Sequence, residues 1–240
     1  MIRLPDLATA SRATGIAPDT VQRLRDYWNN PRAYHHGNHP FPIALGPAEP
    51  CPLLTDWDYM QRHLSPPTSL VAADTYEKYW AIGSMPDEHL WHAAGALITQ
   101  HRKIYEYALG IDAEELRRMG MRARFMARYG LVAPGARQYK PKFHYDSFAS
   151  RWVFSIATVN AGPTEHVRGG ASLPPDLPPA DDHFADYVAR NDLIVRAPVM
   201  TLTFFDGNKC LHRAGVMPEP EDPARPNYRC FVASDLYRFL

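Results

Sequence analysis

Between Tyr139 and Phe148 the chain reads Tyr-Lys-Pro-Lys-Phe-His-Tyr-Asp-Ser-Phe. If this stretch is extended, side chains alternate between faces, so His144 and Asp146 point one way and Tyr145 the other. An imidazole and a carboxylate side by side are two of the three ligands of a facial iron site. The third would be a histidine from far along the chain, and His212, in Cys-Leu-His-Arg-Ala-Gly, is the best candidate. Glu165 and His166 are rival ligands on residue type alone. The three histidines of the segment from Tyr34 to Pro40 sit among Gly, Asn and Pro, which makes it a polar loop rather than a metal cluster. His89, His92 and His101 fall on a long helical pattern at spacings that cannot converge on one ion, so they are expected at its surface or boundary.

The elements that must carry these residues differ between the two halves. Residues 1–120 read as helices and loops. Pro18 suits a first helical turn, with Val21, Leu24 and Trp28 on one face, and Pro31 stops that helix. Thr55 and Asp58 look like a capping pair for a short helix carrying Trp57, Met60 and Leu64. The strongest helical pattern begins at Pro86, runs through Leu90, Ala94, Leu97, Ile98, Ile104, Tyr105 and Ala108, and ends at Gly110. Asp112 and Glu115 make another capping-box pattern, closed by Gly120. Beyond Gly120 the period changes to two: Arg122–Tyr129 alternates, and Trp152–Val159 is rich in branched and aromatic residues. A proline-rich loop (172–182) precedes a short helix marked by Phe184, Tyr187 and Val188. Strands are expected at Leu193–Val195, Val199–Phe205 and Tyr228–Leu236, with a turn at Asp206-Gly207 between strands and an extended run from Cys210 to Val216. The change near residue 120 reads as a seam within one unit rather than a domain boundary.

This order of residues resembles the Fe(II)/2-oxoglutarate-dependent oxygenase superfamily, over roughly residues 120–240. The resemblance implies an α+β chain with a double-stranded β-helix (jelly-roll) core over 121–240 and a mainly helical part, 1–120, packed around it as one domain of 240 residues. It implies His144, Asp146 and His212 as the ligands of Fe(II), with 2-oxoglutarate as cosubstrate. Arg229 would grip the far carboxylate of 2-oxoglutarate with its planar fork. Phe231 stands where the family often has serine, and Arg225 is the alternative anchor. Halogenating members lack the carboxylate, so Asp146 points to hydroxylation or a related oxidation, with O2 consumed and succinate and CO2 released. His35 and His36 lie on the loop expected to close over the site and meet the substrate.

Composition narrows the partners. Lys+Arg and Asp+Glu both number 26, so no field of one sign argues for nucleic acid or a membrane surface. No run of about 18 apolar residues could span a bilayer. Three cysteines without paired spacing read as reduced thiols of a cytoplasmic protein. Serine-hydrolase elbows and glycine-rich dinucleotide loops are missing. A small molecule is the expected substrate. Two rivals of other classes are a non-catalytic barrel that binds a small molecule, and a cupin-like metalloenzyme that does not use 2-oxoglutarate.

Overall fold

A computed structural model describes residues 4–35, 37–56, 58–59, 62, 77–81, 87–112, 114, 121–132, 142–146, 152–159, 163–215 and 227–238. Four of its strands, 77–81, 121–132, 152–159 and 227–238, are described by their backbone, Ser234 excepted.

The N-terminal helices form where caps and apolar faces agree. Helix α1 (Leu7–Thr14) opens on Asp6, whose carboxylate accepts from Thr9 N at 2.7 Å. Helix α2 (Pro18–Asn29) starts on Pro18 and buries Val21, Leu24 and Tyr27. Helix α3 (Pro52–Thr55) follows. Downstream of it the cap is Asp56 rather than Thr55. The Asp56 carboxylate accepts from Tyr59 N at 2.8 Å, while the Thr55 hydroxyl donates to Cys51 O within its own turn. Trp57, Met60 and Leu64 lie outside the described residues, as do Glu115 and Gly120.

Helix α4 (Asp87–Lys103) is kinked at Ala94 and continues into a π-helical turn, Ile104–Ala108. Its buried face is Leu97, Ile98, His101, Ile104, Tyr105 and Ala108. The Arg25 guanidinium donates to Ala108 O and Tyr107 O at 2.7 and 3.0 Å, satisfying carbonyls that a helix end leaves without partners. His101 corrects the expectation of a surface or boundary residue. It is 1 % exposed, with Nδ1 at 2.9 Å from Ser234 Oγ. His92 is exposed as expected.

Among the described residues, nine strands form two antiparallel sheets. They are β1 (Ile43–Pro47), β2 (Glu77–Ala81), β3 (Met121–Val132), β4 (Trp152–Val159), β5 (Glu165–Val167), β6 (Ile194–Arg196), β7 (Thr201–Phe205), β8 (His212–Arg213) and β9 (Asn227–Arg238). The large sheet has the order β1-β7-β4-β9-β3-β2, and the small sheet β6-β5-β8. Both edge strands of the large sheet come from the N-terminal half, which is therefore more than helices and loops. Ile43 and Leu45 alternate inward along β1, a short two-residue period next to a turn.

The chain passes repeatedly between sheets: β3 to the small-sheet bridge at His144, back to β4, to β5 and β6, to β7, to β8, and to β9. The Asp206-Gly207 turn is thus not a hairpin. It carries the chain from β7 in the large sheet to β8 in the small one.

Aromatic neighbours show which faces meet. Phe204 packs against Tyr27 and Phe41 under the N-terminal helices, with ring centroids 5.7 and 5.4 Å apart. Phe205, the next residue, points the other way, to His166 and His212 at 4.7 and 4.9 Å. The outer face of the small sheet is covered by α5 (Asp182–Arg190), through a cluster of Phe143, Val167, Phe184, Val188 and Leu211. No helix among the described residues is long and apolar enough to cross a membrane.

Candidate metal centre

The site is built on one reciprocal backbone pair. His144 N donates to His212 O at 3.0 Å, and His212 N donates to His144 O at 3.1 Å. This antiparallel pairing sets the two residues directly opposite each other across neighbouring strands, with ring centroids 4.6 Å apart. Alternation does the sorting. Leu211 and Arg213 face the α5 side, where Arg213 lies over the Phe143 ring at 4.3 Å, so His212 is left on the face toward Phe205. Asp146 is fixed two residues beyond His144 by its own N–H, which donates to Gly207 O at 2.8 Å.

The donor atoms of His144, Asp146 and His212 all lie within 4.8 Å of one another. His212 Nε2 and Asp146 Oδ1 are 3.6 Å apart. His144 is exposed, Asp146 half-buried and His212 buried, so the cluster opens to one side.

The tautomers of both imidazoles are set by the backbone. His144 Nδ1 stands 3.1 Å from Lys142 O, and His212 Nδ1 2.9 Å from Cys210 O. A carbonyl only accepts, so each Nδ1 carries a proton, and in the neutral ring each Nε2 then offers a lone pair. Ligating histidines usually donate their other ring nitrogen to a carbonyl or carboxylate in this way. Two neutral imidazoles and one carboxylate are the donor set of a facial metal triad, and the residues fit such an ion.

The rival ligands are otherwise engaged. Glu165 is buried and faces outward, its carboxylate accepting from Arg213 Nε at 2.8 Å and Arg196 Nε at 2.9 Å. Two guanidiniums satisfy this carboxylate and leave it no geometry for an ion on the opposite face. His166 is opposite His212 in register and lies on the inner face, its ring centroid 6.3 Å from that of His212. It belongs to the wall of the site rather than to the donor cluster.

Arg229 lies on β9, its backbone level with Gly130 of β3. The Arg229 side chain, Arg225 and His36 lie outside the described residues. His35 is exposed in a tight turn, exchanging backbone hydrogen bonds with Asn38. That loop is docked at the Asp146 end of the small sheet. Gly170 N donates to Gly37 O, and the His39 carbonyl group lies so close to Gly169 that a Cβ there would stand 2.8 Å from its carbon.

Sequence reasoning missed the residues that hold the turn beside Asp146. Tyr27 OH donates to the Asp206 carboxylate, and both residues are buried. The only signal was Asp-Gly itself, which reads as an ordinary turn.

No family model matches the sequence, and no curated protein matches it. Solved structures similar to this one include a Pseudomonas putida prolyl-4-hydroxylase, at 15% identity over 90% of this chain and 100% of that chain, with a TM-score of 0.43. Another is the Fe(II)/α-ketoglutarate-dependent dioxygenase TqaL, at 10% identity over 99% and 91%, with a TM-score of 0.47. A third is the dioxygenase for auxin oxidation 1 from Arabidopsis thaliana with 2-oxoglutarate, at 11% identity over 99% and 91%, with a TM-score of 0.42. At such scores the overlaps are loose, and it is the triad that bears the functional reading. In the order His144-x-Asp146…His212, and in the convergence of those three side chains, the chain resembles the Fe(II)/2-oxoglutarate-dependent oxygenases.

Proposed function

We propose that the protein is an Fe(II)/2-oxoglutarate-dependent oxygenase that hydroxylates or otherwise oxidises a small molecule. The observation that carries this reading is the convergence of His144, Asp146 and His212 within 4.8 Å, with both Nδ1 atoms committed to backbone carbonyls. The alternation of the chain between a large and a small antiparallel sheet supports a jelly-roll, double-stranded β-helix core, with the whole chain as one domain. Sparse cysteines and balanced charge support a cytoplasmic protein without nucleic-acid or membrane partners.

The residues divide the work by position. His144 Nε2, His212 Nε2 and an Asp146 oxygen would hold the metal. Bound Fe(II), with 2-oxoglutarate and O2 as co-reactants, would supply the oxidising power, with succinate and CO2 as by-products. One carboxylate would neutralise only part of the ion's charge and leave it attractive to an anionic cosubstrate. Arg229, on β9, would bind the far carboxylate, with Arg225 as the alternative. Phe205 and His166 wall the inner side against water. The loop of His35 and His36 meets the substrate at the Asp146 end.

The test is direct. Protein purified without oxygen should hold one Fe(II) per chain and convert 2-oxoglutarate to succinate under O2. Absence of iron binding overturns the metal centre. Iron binding without succinate removes 2-oxoglutarate and leaves a metalloenzyme of another kind.

A further inference from the structure

A glycine lies against the one carboxylate of the triad. A Cβ built on Gly207 would stand 2.6 Å from Asp146 Cγ, 3.1 Å from Asp146 Cβ, and nearer still to Oδ2. The backbone of Gly207 does not demand glycine, since its φ lies outside the left-handed region that L side chains avoid. The three nearest atoms that a side chain there would meet all belong to Asp146. The same residue also holds the main chain of Asp146, through its carbonyl and Asp146 N at 2.8 Å.

The turn is itself fastened from three directions. The Asp206 carboxylate accepts from Asn208 N at 2.9 Å and from Tyr27 OH. Asp206 O accepts from Lys209 N and Cys210 N at 3.0 and 2.9 Å. Lys209 Nζ donates to Pro31 O and lies 5.3 Å from the centroid of the Tyr27 ring. Helix α2 and the residues after it thus clamp the turn on which Asp146 leans. That gives helix α2 a connection to the ligand set.

We propose that Gly207 is a positioning residue of the metal centre: the space left by its missing side chain seats the Asp146 carboxylate, in a turn that Tyr27 and Pro31 anchor to helix α2. The inference rests on the metal reading of the triad. Ligands held by a preformed turn need less ordering when an ion arrives, and groups that orient a metal ligand typically carry about 10- to 100-fold in metal affinity.

The experiment titrates full-length, chelator-treated protein with Mn(II), a redox-stable probe of the same donor set, and follows bound metal and melting temperature. The variants are Gly207→Ala, Asp146→Ala and the double variant. Gly207→Ala should weaken Mn(II) by about 10- to 100-fold and lower the metal-free melting temperature, because the Asp146 carboxylate must give way. In the Asp146→Ala background the same change should have no effect on the metal-free melting temperature, because the obstructing carboxylate is gone. Should Gly207→Ala fail to fold, a folded double variant still assigns the obstruction to Asp146. An unfolded double variant overturns the proposal. Wild-type affinity in Gly207→Ala overturns the role of Gly207 and leaves the metal centre standing. A wild type that takes up no Mn(II) overturns both.

Discussion

Acid should destabilise this protein through His101, and the size of the effect follows from its burial. The ring is 1 % exposed and bonded to Ser234 Oγ, which Tyr105 OH also meets at 2.6 Å. Burial pushes its pKa down from 6.5 to about 3, because a charged imidazole would lose its hydration there. The folded-state value is thus below the unfolded one, so the unfolded chain takes up the proton first as pH falls. The stabilisation is complete above about 6.5 and is lost progressively down to about 3. At about 1.4 kcal/mol per pH unit, acidification from neutrality to pH 5 costs about 2 kcal/mol through this one group. Glutamine is similar in length, does not titrate, and can still bond Ser234. Urea denaturation of the metal-free wild type and of His101→Gln, each at pH 7.5 and pH 5, isolates the effect, since every other titrating group is common to both. The wild type should lose about 2 kcal/mol more than the variant over this interval. Equal losses would refute the reasoning and mean that a protonated His101 is accommodated in the fold.

Four further outcomes are expected. His212→Ala should abolish stoichiometric Fe(II) binding, measured by metal analysis of anaerobically purified protein; unchanged affinity would remove it from the ligand set. Arg229→Ala should leave iron in place but raise the 2-oxoglutarate requirement roughly 30- to 150-fold, the equivalent of about 2–3 kcal/mol for one lost charged hydrogen-bond partner; an unchanged requirement shifts the role to Arg225 or removes the cosubstrate. Replacing His35 and His36 with Ala should keep one iron per chain and lower substrate turnover, and a fall in iron content would place them among the ligands instead. Tyr27→Phe leaves the buried Asp206 carboxylate short of a donor and should cost about 1–3 kcal/mol of stability, read from chemical denaturation.

The parts of this molecule that could be read from the sequence were those with local causes. Pro18 and the Val21–Leu24 spacing give α2, the branched and aromatic run gives β4, and Phe184 with Val188 gives α5. The His-x-Asp pair and the late histidine were legible because ligand types at alternating positions are a local signal too. What escaped depends on distant partners. His101 looks like a solvent-facing residue until Ser234, 133 positions away, reaches it. Glu165 looks like a ligand until Arg213 and Arg196 arrive from other strands. Asp206-Gly207 has the chemistry of a hairpin turn, and nothing local says that β7 and β8 part to different sheets.

The reciprocal pairing of His144 with His212 also acts as a proofreading device. A slip of one residue in β8 would turn His212 to the α5 side and bring Leu211 or Arg213 opposite His144. Leucine offers no lone pair, and a guanidinium beside Asp146 would neutralise the carboxylate rather than share it with an ion. A form slipped in this way could not bind metal through this triad. Uptake of the ion would certify that two segments distant in the chain have met in the right register, which makes metal binding a stricter report of correct folding than secondary structure or compactness.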